Sequence, residues 1–204
     1  YHHISETVST NVLMKEMLRK SPLPEGFVVH TDFQHQGKGQ GNNQWESAKG
    51  KNLLFSLLLR PHHIAIEDQF IISQIVSLGI IDVLRNLHPD HETAFCVKWP
   101  NDIYWKNKKL GGILIENTLQ GRIINASVIG IGLNINQTTF TSDAPNPVSL
   151  KQITGKEYPI DLILEAITGN ILHYYVEVSP ELVRKQYMEN LYRKTGYHSY
   201  RIDE

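Results

Sequence analysis

Apolar residues fall along this chain in two rhythms. Between residues 12 and 18, Val12, Leu13, Met14, Met17 and Leu18 follow helical spacing behind Ser9-Thr10-Asn11, where Ser9 or Thr10 is a natural N-cap. Helical intervals return from Glu67 to Leu87, with Ile71, Ile75, Leu78, Ile81 and Leu84 on one face and Asp68 in the first turn. Two terminal helices are expected over 160–176 and 180–191, and a short amphipathic piece around Leu150 and Ile153. The strands read differently. Phe27 to Thr31 follows a Pro- and Gly-containing turn at 21–26, and Asn52 to Arg60 is almost unbroken apolar sequence stopped by Pro61. That second run has the pattern of a strand covered on both faces. Phe95 to Trp99 is a further strand, ended by Pro100-Asn101-Asp102. Residues 103–105 and 110–116 form a hairpin with a basic tip at 106–109, and Arg122 to Ile131 is another strand. Residues 143–147 read as a loop and 197–204 as the start of something extended. The fold class is α+β, a central mixed and largely antiparallel sheet flanked by helices. Glycine- and amide-rich segments at the strand ends place a polar cleft along one edge or face.

One of those segments is Gly37-Lys38-Gly39-Gln40-Gly41-Asn42-Asn43-Gln44-Trp45. Three glycines at alternate positions cannot pack as a regular strand or helix, since glycine loses the most backbone entropy on ordering and has nothing to bury. Two readings fit: an exposed hairpin, or a loop whose N–H groups approach an anion with Lys38 supplying charge. Neither a Walker A loop nor a G-x-G-x-x-G fingerprint is present. A second place for close backbone approach is Gly111-Gly112.

Composition narrows the classes. The chain has 204 residues and a formal net charge of -1, so no global basic field recruits nucleic acid or anionic membrane. Its single cysteine, Cys96, sits in an apolar run, reads as a buried structural thiol, and suits a reducing compartment. No run reaches the ~20 apolar residues that span a bilayer, and the polar N-terminus carries no signal-peptide pattern, so the expectation is cytoplasmic. His2-His3 and His62-His63 read as surface pairs, and no metal site is expected from Cys/His spacing. Trp99 reads as core packing first and as part of a nucleotide site second.

With Lys98-Trp99-Pro100-Asn101-Asp102 and Lys109-Leu110-Gly111-Gly112-Ile113-Leu114 in view, the sequence resembles the catalytic domain of biotin–protein ligases. Ser9-Thr10-Asn11, Gln34, the glycine loop with Trp45, the Gly130/Gly132/Asn134 segment and Ser149-Leu150 match the family's other motifs in order, across roughly residues 9 to 191. The loop departs from the commonest, arginine-rich version: Lys38 and Gln40 stand at usual arginine positions, and Gly41 and Asn43 replace further basic ones. The resemblance implies a catalytic domain at 1–195 and the start of a C-terminal segment at 196–204, with that segment's β-barrel largely absent and no N-terminal DNA-binding domain. A homodimer through sheet edges is an option in the family.

The resemblance also implies the chemistry. Biotin is activated by Mg²⁺ and ATP as biotinyl-5′-AMP, then transferred to a lysine of a biotin carboxyl carrier domain. Lys109 and Lys38 are the implied catalytic cations. Ser9, Thr10, Asn11, Gln34, Gly37, Lys38, Gly39, Gln40, Trp45, Lys109 and Gly112 are the implied biotin contacts. Lys38, Trp45, Asn101, Lys109 and Asn134 are the implied nucleotide contacts, and no protein metal ligands are assigned. A lipoate–protein ligase and a non-catalytic biotin- or nucleotide-binding module are the alternatives.

Overall fold

Strand β3 (Leu53–Leu59) is buried at all seven positions, as its apolar run, broken only by Ser56, requires. Leu53, Phe55, Leu57 and Leu59 enter the main core, while Leu58 packs on the opposite face with Met14 and Val29. In the computed structural model, which describes residues 1–88, 94–142 and 146–199, this strand belongs to a seven-stranded sheet. The other strands are β1 (His2–Thr7), β2 (Val28–Gln34), β4 (Phe95–Lys98), β5 (Asp102–Trp105), β6 (Lys108–Gln120) and β7 (Ile123–Leu133). Their order across the sheet is β1-β2-β3-β7-β6-β5-β4. β1 pairs with β2 in parallel, and the remaining pairings are antiparallel. The mixed, largely antiparallel α+β expectation is met.

The helices are α1 (Thr10–Lys20), α2 (Phe70–Leu87), α3 (Leu150–Thr154), α4 (Ile160–Glu177) and α5 (Pro180–Glu189). α2 packs against α4 and α5 and covers one sheet face. Ile66–Leu87 is long and apolar enough to cross a membrane by length and composition, yet 72% of its apolar window is buried inside the fold. α1 covers β2, β3 and β7 on the other face. It leaves the β6–β5 part of that face uncovered, and this is where a cavity forms.

Several boundaries differ from the sequence reading. β1 was not foreseen, because His2, His3, Ser5 and Glu6 give an edge strand with little apolar alternation. The basic tip shrinks to Lys106 and Asn107, with Lys106 at φ 52, and Lys108 and Lys109 already belong to β6. β6 continues to Gln120 rather than stopping at Glu116, and turns into β7 at Gly121, φ 60. Asp68 lies in a 3₁₀ turn (Ile66–Asp68) ahead of α2. Trp99 is 68% exposed, so it is not a core residue: the turn at 99–101 carries it off the sheet into solvent. Residues 143–145 of the expected loop and 200–204 of the expected extended end lie outside the described residues. Cys96 is half-buried, and burial pushes its thiol up to about 11, partly offset by Arg85.

Candidate active site

Backbone geometry makes Ser9 the N-cap of α1 (φ -162, ψ 138), but its side chain caps nothing. The Thr10 N–H instead donates to Oε1 of Gln34, at 2.8 Å. Gln34 ends β2 opposite Thr7 of β1, so the parallel pair delivers this amide to the start of the helix. The expected self-capping by Ser9 or Thr10 is therefore replaced by a cap from another strand. The Ser9 hydroxyl is left for the cavity that Ser9, Thr10, Asn11 and Gln34 line. Asn11 is held from behind: its Nδ2 donates to Glu116 Oε2 at 2.8 Å, and its Oδ1 lies 2.6 Å from Ser56 Oγ. Burial pushes the Glu116 carboxyl up, but Lys15, Asn11 and more distant Lys38 outweigh it and hold the group below its ordinary range.

Glycines form the next wall. Gly112 and Gly132 stand opposite each other across β6 and β7, and the Trp45 indole lies over both. A Cβ on Gly132 would meet the indole at 2.6 Å, and one on Gly112 at 3.2 Å. Side chains at these positions would displace the tryptophan. Trp45 itself is set by the glycine loop, which closes as a small hairpin. Trp45 N–H donates to Gly37 O (2.8 Å), Gly39 N–H to Asn43 O (2.8 Å), and Lys38 bridges Gln44. Gly37 does not line the cavity: it is buried behind Trp45, where a Cβ would stand 2.6 Å from the Trp45 carbonyl. Lys38, Gly39 and Gln40 do line it. The hairpin reading is met, and the Gly39 amide is already used within the loop.

Lys109 forms an ion pair with Asp102, Nζ to Oδ1 at 2.7 Å, and sits 5.9 Å from the Trp45 ring centroid. On a regular strand Lys109 and Gly112, three residues apart, would face opposite sides. The β5–β6 register shifts between Ile103 and Tyr104, pairing Ile103 with Gly111 and Tyr104 with Lys109. This bulge rephases β6 and puts both residues on the cavity. Asn101 lines the cavity too, its Nδ2 donating to Ile113 O at 2.8 Å. Asn134 is 4% exposed and donates to Val148 O at 3.2 Å, while its Oδ1 and the Trp45 Nε1–H are buried with no hydrogen-bond partner among the described residues. A buried polar group without a partner costs free energy, so a ligand offering matching groups there would be favoured.

The cavity has a volume of about 500 Å³. Every expected site residue except Gly37 lines it, although they come from α1, β2, the glycine loop, β6, and segments next to β5 and β7. Lys98, Asp102, Gly130 and Gly132, read in the sequence as motif members without a site role, and Tyr104 and Glu46, given no part in the site, line it as well. Asp102 was legible as the last residue of the Lys-Trp-Pro-Asn-Asp run. Glu46 carried no local signal: it works by binding residues 141 and 142, with its carboxylate accepting from Thr141 N–H (2.9 Å) and Ser142 N–H (2.7 Å). Among the described residues no group of three His, Cys, Asp or Glu side chains is arranged to hold a metal.

The sheet thus gathers a cation, a glycine shelf and a polar helix start around one cavity. The chain belongs to the biotin/lipoate A/B protein ligase family, whose model matches residues 4–134. It is 30% identical over 186 residues to biotin–protein ligase 1, chloroplastic, of Arabidopsis thaliana, covering 88% of this chain and 48% of that protein. It is 30% identical over 157 residues to the biotin–[acetyl-CoA-carboxylase] ligase of Paracoccus denitrificans, covering 74% and 63%. The chain spans about half the length of the first curated relatives it matches. The biotin protein ligase of Leishmania major, solved with biotin, superposes with a TM-score of 0.81 at 23% identity, over 100% of this chain and 85% of that one. The Aquifex aeolicus ligase, solved with biotin and ATP, gives 0.76 at 26% identity, over 93% and 77%.

Proposed function

We propose that this chain activates the carboxylate of biotin with ATP and passes the acyl group to a lysine of a biotin carboxyl carrier domain. The observation that carries the reading is Lys109 held at the meeting point of a polar floor and a glycine–tryptophan shelf. In the first step a biotin carboxylate oxygen bonds to the α-phosphorus and the bond to the β-phosphate bridging oxygen breaks, releasing pyrophosphate. In the second, the carrier amine attacks the acyl carbon, AMP leaves, and the amine gives up a proton. Two unit charges about 4 Å apart repel by about 4 kcal/mol at an effective dielectric near 20, so a fixed cation is needed where carboxylate and phosphate meet. Lys109 is that cation, and Asp102 keeps its ammonium aimed into the cavity. Lys38 is the second cation, on a loop that can close over the intermediate and exclude water.

Ser9, Thr10 and Gln34 suit the donors and acceptors of a ureido ring, and the Trp45–Gly112–Gly132 shelf suits an apolar chain. Asn101 and Asn134 suit the nucleotide. Mg²⁺ fits as a companion of ATP phosphates rather than a resident ion, because the cavity carboxylates Asp102 and Glu46 are already bonded to Lys109, Thr141 and Ser142. When bound, it neutralises phosphate charge. The polar floor and the names of the relatives favour biotin over lipoate, and the retained Lys109 favours catalysis over a binding module. Residues 1–195 would be the catalytic unit and 196–204 the start of a C-terminal segment, working in the cytoplasm. Calorimetry with biotin, then mass spectrometry after adding Mg-ATP, tests the reading. A biotinyl-AMP mass is expected, and biotin binding with no adenylate would remove the catalytic assignment.

A further inference from the structure

Behind the cavity floor runs a line of polar side chains drawn from four elements, β6, α1, β3 and β2. Glu116 on β6 accepts from Lys15 Nζ at 2.6 Å with one carboxylate oxygen and from Asn11 Nδ2 at 2.8 Å with the other. Asn11 Oδ1 lies 2.6 Å from Ser56 Oγ, which lies 2.8 Å from Thr10 Oγ1, which lies 3.2 Å from Gln34 Oε1. Ser56, Asn11 and Thr10 are 0%, 2% and 3% exposed, so bulk water cannot reorder their protons.

We propose that Glu116 is a positioning residue that fixes the hydrogen-bond polarity of the floor, so that Thr10 offers the ligand a lone pair rather than a proton. The inference rests on the ligase reading and concerns the same cavity. The polarity follows from counting protons. An ionised carboxylate only accepts, so Asn11 turns its amide nitrogen toward Glu116, and also toward the Leu114 carbonyl at a longer 3.3 Å. The Asn11 oxygen must then face Ser56, whose single proton goes to it. Ser56 has none left for Thr10. The Thr10 hydroxyl donates instead to Gln34 Oε1, at 3.2 Å, and Gln34 cannot turn because the same oxygen accepts the Thr10 N–H. Thr10 then has lone pairs, unspent on Ser56, and no proton to offer the cavity it lines, a fit for an N–H of a neutral ureido ring. Gly130 gives the line its room, since a Cβ there would stand 2.6 Å from Asn11 Oδ1.

Lys15 on α1 and Lys38 in the glycine loop are the charged groups that keep Glu116 ionised. Removing Lys15 should let Glu116 protonate at mildly acidic pH, and a neutral carboxyl can donate as well as accept, so the polarity is no longer enforced. The test is calorimetry with biotin amide, which has no carboxylate of its own, from about pH 5 to pH 8. Wild type, Lys15→Met and Lys15→Met/Glu116→Gln are compared. Wild type should hold its affinity, Lys15→Met should lose roughly tenfold toward the acid end, about one hydrogen bond's worth, and the double variant should show no slope. A flat Lys15→Met profile at wild-type affinity overturns the proposal. Ser56→Ala removes the one proton whose direction Glu116 sets, so adding it to Lys15→Met should abolish the acid slope. A slope that persists in Lys15→Met/Ser56→Ala overturns the proposal independently. If wild type fails to bind biotin amide, the ligase reading falls and the proposal with it, whereas failures confined to the variants leave the ligase reading standing.

Discussion

The indole of Trp45 rests on Gly132 so closely that a single added methyl would stand 2.6 Å from its Cε2 and 2.7 Å from its Nε1. The two residues are joined through the cavity wall and not through the chain. The same contact explains why glycine is found at 132 near the end of β7, where it would otherwise weaken the sheet.

Gly132→Ala should therefore act on the ligand through Trp45. Overpacking of this kind costs about 1–3 kcal/mol, and the indole can relieve it by swinging off the shelf. The expected result is weaker biotin binding with a shifted tryptophan fluorescence spectrum. Fluorescence and affinity both matching wild type would remove Trp45 from the ligand wall.

Lys109→Ala should lower single-turnover adenylate formation by roughly 10²–10³ while biotin binding is largely kept, as expected for a group that stabilises developing charge. Asp102→Asn should give a smaller loss of the same kind, because the amide holds Lys109 in place less strongly. Wild-type adenylation rates in Lys109→Ala would be incompatible with the assigned role.

Gln34→Ala removes both a helix cap and a cavity amide. Losing an N-cap acceptor costs about 1 kcal/mol, so a lower melting temperature should accompany reduced biotin affinity. Ser9→Ala, whose side chain makes no capping bond, should reduce affinity with little change in melting temperature. Equal thermal losses in the two variants would contradict the capping assignment.

Glu46 gives a pH prediction. Burial raises its carboxyl, but hydrogen bonds from Ser142 and Thr141 outweigh this and bring it below its ordinary 4.5. The unfolded or released carboxyl takes up a proton first as pH falls. The stabilisation is thus fully present above about 4.5 and is lost as pH drops through the lower bound-state value. The amide NMR shifts of Thr141 and Ser142 should move in that acid window, and in Glu46→Gln they should not. Shifts that move equally in both proteins would rule out the carboxylate as their cause.

What the sequence by itself determined is local. The apolar run of β3, the helical periods of α2 and α4, and the polar and glycine motifs all follow from side-chain chemistry read along the chain, and the motifs were enough to name the segments that line the cavity. Tertiary structure decided which atoms do what. Gln34 caps α1 across 24 positions of sequence, and Glu116 orients Asn11 across 105. Trp99, apolar by composition, is left in solvent by the turn that carries it. The clearest case is β6, where Lys109 and Gly112 should face opposite ways by the two-residue period of a strand. They share the cavity because the register with β5 slips at one point, and that slip is set by pairing with another strand.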